Sequence, residues 1–261
     1  MAGALGLTTP AKLEIRDLSI SFASTPRVHA VDTVSLTVAP GETVCLLGPS
    51  GCGKSSVLRA VAGFITPDTG EVRVDGRVVR GPGADRGMVF QEYALFPWHT
   101  VSRNIEFGLH KRVPDGEARQ ALVRSWIAKV KLGGFDRAYP KQLSGGMQQR
   151  VAIARALAPD PQVLLMDEPF GALDAQTRVL MQEMLEGLIS ESRGAVLFVT
   201  HDIDEALIVG DTLCIMSKRP GRLIETIRNP FARPRSAHIF EHADYGPVKA
   251  RIFETIRREI D

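Results

Sequence analysis

The run Gly48-Pro49-Ser50-Gly51-Cys52-Gly53-Lys54-Ser55-Ser56 has the residue types and spacing needed to hold phosphate. It fits G-x-x-x-x-G-K-[ST], a glycine-rich turn between strand and helix whose N–H groups converge on an anion. Gly48, Gly51 and Gly53 can take backbone angles closed to residues with a Cβ. Lys54 brings a full charge for terminal phosphates, and the Ser55 hydroxyl is placed to ligate Mg²⁺. The flanks agree: Thr43 to Leu47 reads as a short buried strand, and Val57 to Ala62 has helical apolar spacing. A merely flexible turn would need neither flank. The reading is a nucleotide site.

Three apolar runs end in polar residues: Arg86 to Phe90 at Gln91, Val163 to Met166 at Asp167-Glu168, and Ala195 to Thr200 at His201. In an open parallel sheet the strand C-termini line the site. Asp167 is expected beside Mg²⁺ as a Walker B acid, and Glu168 is the candidate to deprotonate water. His201 is suited to contacting the γ-phosphate, although strand-end histidines are commonly structural. Gln91 can ligate Mg²⁺ through its amide oxygen. A second anion site is expected at Ser144-Gly145-Gly146, which open a helix running to Leu157. One chain has no second phosphate to put there, so the economical occupant is a nucleotide held by another copy. Phe22, closing a strand, is either core filler or a ring to stack on adenine; the pattern alone leaves both open.

These residues need a scaffold. Lys12 to Phe22 and His29 to Val38 alternate apolar and polar side chains as half-exposed strands, and Glu71 to Val79 alternates around an Asp75-Gly76 hairpin turn. From Val101 to Leu157 the periodicity is helical, broken at Pro114-Asp115-Gly116 and Gly133-Gly134. The expected architecture is α/β. A mainly parallel P-loop NTPase (RecA-like) sheet core spans 12–91 and 159–220, with an N-terminal antiparallel β-subdomain. A helical subdomain occupies 92–158, and 221–261 forms a short extension. Met1 to Ala11 reads as a loose tail, and Lys249 to Ile260 as an amphipathic helix.

The 261 residues suffice for a full core, and a net charge of +2 gives no global pull toward nucleic acid or membrane. Three unevenly spaced cysteines fit a reduced cytosolic protein. No run approaches the ~20 apolar residues of a bilayer span. Lys218, Arg219, Arg222, Arg228, Arg233 and Arg235 read as a solvated basic surface, with anionic lipid headgroups as a second reading.

The phosphate loop, Gln91, Leu143-Ser144-Gly145-Gly146, Val163 to Pro169, Ala172-Leu173-Asp174 and His201, in that order, resemble the ATP-binding subunit of an ABC transporter. The resemblance implies two subunits sandwiching two ATP molecules head to tail. Gly48 to Ser56 would bind phosphates, with Ser55, Gln91 and Asp167 around Mg²⁺. Glu168 would be the general base and His201 the γ-phosphate switch. Ser144, Gly145 and Gly146 would complete the opposite site, with Asp174 close by, and Phe22 would stack on adenine. Ala94 to Trp98, Pro169 to Asp174 and Arg219 to Arg222 resemble the nitrate/sulfonate/taurine importer branch. That implies a membrane permease docking near Tyr93, Leu95, Phe96 and Trp98, a solute-binding protein acting through it, and residence at the cytoplasmic face of the plasma membrane. Met147 and Gly171 depart from common family residues at the dimer interface, without removing a group the chemistry needs. The competing classes are an ABC ATPase acting on nucleic acid or ribosomes, an importer of another solute such as a pyrimidine precursor, and a P-loop kinase. A single cassette without heptads argues against the first, and the serine-glycine motif and His201 have no role in the last.

Overall fold

The computed structural model describes residues 11–23 and 25–259. The expected tail lies outside them apart from Ala11, as does Ile260 at the end of the expected last helix. In chain order the first elements are β1 (Leu13–Phe22), β2 (Val28–Val38), β3 (Thr43–Leu47), α1 (Lys54–Ala62), β4 (Thr69–Val74), β5 (Arg77–Val78) and β6 (Arg86–Val89). Then come α2 (Val101–Phe107), α3 (Gly116–Lys129), α4 (Gly145–Leu157), β7 (Val163–Asp167) and α5 (Ala175–Ser190). The chain ends through β8 (Ala195–Thr200), α6 (Ile203–Val209), β9 (Thr212–Met216), β10 (Leu223–Arg228) and α7 (Tyr245–Arg257).

Two sheets form, a four-stranded one ordered β2-β1-β4-β5 and a six-stranded one ordered β10-β9-β3-β8-β7-β6. In the larger sheet β9, β3, β8, β7 and β6 run parallel, and β10 is antiparallel to β9. Every residue of β3, β7 and β8 is buried, as strands covered on both faces require. Alternation then sorts their side chains into two cores. Val44, Leu46, Leu165 and Leu197 meet Val57, Leu58 and Val61 of α1 and the inner face of the smaller sheet. Cys45, Leu47, Met166 and Phe198 meet Met181 and Leu185 of α5 and Ala206 to Val209 of α6. A third core joins α2, α3 and α4 through Val101, Ile105, Val123, Ile127 and Val151. Helix α1 is nine residues long, too short to persist alone in water, so packing holds it in place. Its start is therefore fixed relative to the end of β3.

The strand ends come out level. Leu47 pairs with Thr200, Asp167 with Val199, and Val89 with Met166. Gly48, His201, Glu168 and Gln91 therefore leave the sheet at the C-terminal ends of its strands.

The structure departs from the sequence reading in four places. Helix α1 begins at Lys54, not after Ser56. The strand expected over Arg86 to Phe90 is an edge strand with only Val89 fully buried. Residues 92–100, expected within the helical subdomain, have no regular structure. Leu223 to Arg228, expected in a separate extension, forms the sheet edge as β10.

The basic stretch divides: Lys218, Arg219, Arg222 and Arg228 are exposed, as expected of a solvated surface, whereas Arg233 and Arg235 turn inward. Arg222 pairs with Asp32 and Arg228 with Glu42. Arg233 and Arg235 both donate to Asp211, at 2.8 and 2.7 Å. Burial works to raise the Asp211 carboxyl, but Arg233, the Thr43 N–H and Arg235 outweigh it and hold it below the ordinary range. Arg235 is 4% exposed and also donates to the Ile208 and Phe231 carbonyls. Replacing one partner of a buried pair costs about 3 kcal/mol or more. Arg235→Ala should therefore lower urea-unfolding stability by about 3 kcal/mol, the low end because Arg233 remains. A loss below about 0.5 kcal/mol would return Arg235 to the class of surface residues.

Candidate functional site

The phosphate loop bends as only glycine allows at its two critical points. Gly53 sits at φ +107 as the N-cap of α1, where a Cβ would come within 2.6 Å of the Ala30 carbonyl. Gly51 sits at φ +77 on the crest. No acidic residue occupies the first turn of α1, so its positive end is uncompensated. Lys54 is 4% exposed and folds over its own loop, donating to the Gly48 and Pro49 carbonyls at 2.8 and 3.0 Å. The Cys52 side chain is buried against Lys54 Nζ, 3.8 Å away, and Pro49 has no backbone N–H to offer an anion.

Above this loop is a cleft of about 290 Å³, whose walls include Phe22, Ser50, Gly51, Gly53, Lys54, Ser55, Ser56 and Glu168. Phe22 is 40% exposed there, so it is not core filler. Arg219 also lines the cleft and donates from Nε to the Gly51 carbonyl at 3.2 Å. Its loop is tied to β2 by hydrogen bonds between Gly221 and both Ala30 and Asp32, a pairing that local spacing does not signal.

Beneath the cleft the Ser55 hydroxyl donates to Asp167 Oδ1 at 2.8 Å. Burial raises the Asp167 carboxyl above its ordinary value, and the Ser55 hydrogen bond offsets part of this. The next residue, Glu168, holds a left-handed φ of +44, and its Oε2 lies 3.1 Å from His201 Nδ1. A non-glycine residue in that region carries backbone strain, as functional sites often do. Strain and the strand end together direct Glu168 into the cleft rather than along the sheet.

The oxygen-only pair of Ser55 and Asp167 suits a hard divalent cation. Among the described residues no cluster of three or more His, Cys, Asp or Glu could hold a metal by itself. Mg²⁺ is commonly bound through one or two carboxylates plus substrate phosphates. The chain's donors therefore fit Mg²⁺ arriving with a nucleotide.

Other expected residues stand outside the cleft. Gln91 is exposed, past the end of β6 on the Asp167 side of the sheet. Ser144 caps α4, its Oγ accepting from the Met147 N–H at 3.3 Å. Gly145 and Gly146 crowd Tyr93 and Thr177, where an added Cβ would come within 2.8 and 2.7 Å. Asp174 caps α5, and the Thr177 N–H holds its carboxyl below the ordinary range. One chain thus presents a phosphate cradle with a base and a histidine, and separately a capped helix tip. Met147 packs against the helical core.

The aromatic loop after Gln91 is shaped by Asn104, fully buried, which accepts from the Phe96 N–H and donates to the Phe96, His99 and Thr100 carbonyls. Phe96, Phe64, Phe90 and Phe107 line an apolar groove of about 790 Å³ between β6 and α2. Of the four expected docking residues only Phe96 lines it. Trp98 stacks on its rim 5.7 Å from Phe96, Tyr93 turns toward Gly145, and Leu95 packs on the helical core.

The ABC transporter family model matches residues 31–171. The taurine import ATP-binding protein of Chromobacterium violaceum is 53% identical over 205 residues, 78% of this chain and 78% of that one. The nitrate import ATP-binding protein of Synechocystis sp. is 48% identical over 212 residues, 81% of this chain and 80% of its own. Among solved structures, a dimeric ATP-binding cassette in a post-hydrolysis state with ADP and Pi superposes with a TM-score of 0.74. It is 31% identical and covers 84% of this chain and 100% of its own. With a phosphate cradle, a candidate base and these likenesses in one molecule, the chain belongs to the ABC transporter family as an ATP-binding subunit whose activity is ATP hydrolysis.

Proposed function

We propose that this chain powers an importer, working as a pair of copies beneath a separate membrane permease. The observation that carries this reading is the apolar groove around Phe96: exposed Phe64 and Phe107 with half-buried Phe90 and Phe96, lining one groove beside the nucleotide core, are the chemistry of a docking site for a helix. The names of the taurine and nitrate relatives support a solute of the nitrate, sulfonate or taurine type, delivered by a solute-binding protein. Among the described residues no helix is long and apolar enough to cross a membrane, so the permease would hold the chain at the cytoplasmic face.

In this reading ATP is gripped by the phosphate loop of one copy and the Ser144-Gly145-Gly146 tip of the other, with Asp174 at the interface. Phe22 stacks on adenine. Ser55, Asp167 and Gln91 would hold Mg²⁺, which would neutralise phosphate charge when bound. Glu168 takes the proton of the attacking water, and His201 holds the γ-phosphate. The core comprises 12–91 and 159–220 together with β10, 92–158 is the helical unit, and the groove lies where the two meet. The arginines after Pro220 are already paired within the chain, which leaves little charge for nucleic acid.

The test is ATP-driven uptake of labelled taurine, an alkylsulfonate and nitrate into vesicles carrying this chain with the permease encoded beside it. Uptake of a different solute, such as a pyrimidine precursor, would keep the importer and change its cargo. ATPase activity with no response to any membrane partner would sink the importer reading. Phe96→Ala should weaken permease assembly by about 2 kcal/mol, as loss of a buried aromatic anchor does, with ATP affinity unchanged. Assembly at wild-type strength, read by co-purification in detergent, would remove the groove from the interface.

A further inference from the structure

His201 leaves the tip of β8 with its side chain 55% exposed and Glu168 as its hydrogen-bond partner. Its aim is therefore set by the turn Thr200-His201-Asp202. Behind that turn the Thr200 hydroxyl donates to Glu205 Oε2 at 2.6 Å and accepts from the Asp202 N–H at 3.0 Å. Asp202 in turn caps α6 by accepting from the Asp204 and Glu205 N–H groups. Glu205 is 4% exposed, an expensive place for a carboxylate without a cation. The cation comes from another element. Arg178 of α5 stands 3.8 Å from Glu205 Oε1 and 3.6 Å from Asp202 Oδ2. The same guanidinium donates to the Leu173 carbonyl at 3.1 Å, and Leu173 immediately precedes Asp174.

One side chain thus joins the Leu173–Asp174 segment to the turn that carries His201. The joint has slack: Arg178 Nε is buried with no hydrogen-bond partner, so a small shift would turn the ion pair into a hydrogen bond. Burial lifts the Glu205 carboxyl to about 7, against the pull of the Thr200 hydroxyl and Arg178.

We propose that Arg178 and Glu205 are positioning residues that make the Leu173–Asp174 segment and the His201 turn move as one piece, so that engagement of Asp174 by the second copy reaches His201. This rests on the roles proposed above for Asp174 and His201. The test compares Arg178→Met, Arg178→Lys and Glu205→Gln with the wild-type full chain, measuring binding of a fluorescent ATP analogue, kcat, KM and Tm. Nucleotide affinity and KM should stay within about twofold, while kcat falls about tenfold in Arg178→Met and Glu205→Gln and largely returns in Arg178→Lys. A merely structural role would lower Tm without this split. If Arg178→Met does not fold, Glu205→Gln, equal in shape and still able to pair with Thr200, decides. Wild-type kcat in Glu205→Gln, or a kcat loss matched by lost nucleotide affinity, overturns the proposal. A wild-type chain that binds ATP without hydrolysing it would instead bring down the proposed roles of Glu168 and His201, and this inference with them.

Discussion

Glu168→Gln should stop turnover while leaving ATP bound. The carboxylate borders the cleft and meets His201 Nδ1 at 3.1 Å, and glutamine can keep a partner there at the same size. What it cannot do is take a proton. A positioned general base is worth about 10²–10⁴ in rate, so phosphate release should fall at least a hundredfold. Asp167 and Ser55 sit on the preceding strand end and the phosphate loop, bonded to each other and not to Glu168, so the ligand side of the site should be untouched. If two copies close over ATP, the blocked variant should accumulate as a dimer by size-exclusion chromatography only when ATP is present, because opening requires hydrolysis. The left-handed φ of Glu168 belongs to the backbone and carries over to glutamine unchanged. Near-normal hydrolysis by the variant would mean that another group activates water, and His201 would be the next to change.

What could be read from the residues, and what could not, follows from the range of the interaction involved. Strands β3, β7 and β8 are unbroken apolar runs because both faces of a parallel sheet are covered, and that signature is local. The phosphate loop is equally local, since its glycines, lysine and serine act within one turn. Strand β10 was missed because Leu223 to Arg228 is short and half exposed, its pattern that of any surface segment until it pairs with β9. Arg233 and Arg235 looked like the exposed Arg222 and Arg228 because their partners, Glu186 and Asp211, lie far away in the chain. Arg219 was placed with them, although its loop returns to the crest of the phosphate loop. Helix propensity and apolar period carry no information about such pairings. They also cannot separate Phe96, which lines the groove, from Trp98 on its rim, since both are aromatic and two residues apart.

Lys54→Ala should be the most damaging single change to nucleotide affinity. The ammonium is buried, spans the loop to the Gly48 and Pro49 carbonyls, and brings a full positive charge to the floor of the cleft. A hydrogen bond to a charged group contributes about 1.5–3 kcal/mol, and a triphosphate offers this ammonium more than one oxygen. Truncation also leaves the Gly48 and Pro49 carbonyls without the ammonium that now donates to them, which adds to the loss. ATP affinity should therefore fall about a hundredfold or more by calorimetry, equivalent to about 2.8 kcal/mol. AMP should lose much less, because its one phosphate lies farther from the loop crest than the terminal phosphates Lys54 serves. The fold should survive, since Val57, Leu58 and Val61 hold α1 against the sheet independently of the lysine. An alanine variant with an unchanged melting temperature and wild-type ATP affinity would mean that the loop binds no triphosphate, and the assignment of this cleft would have to be abandoned.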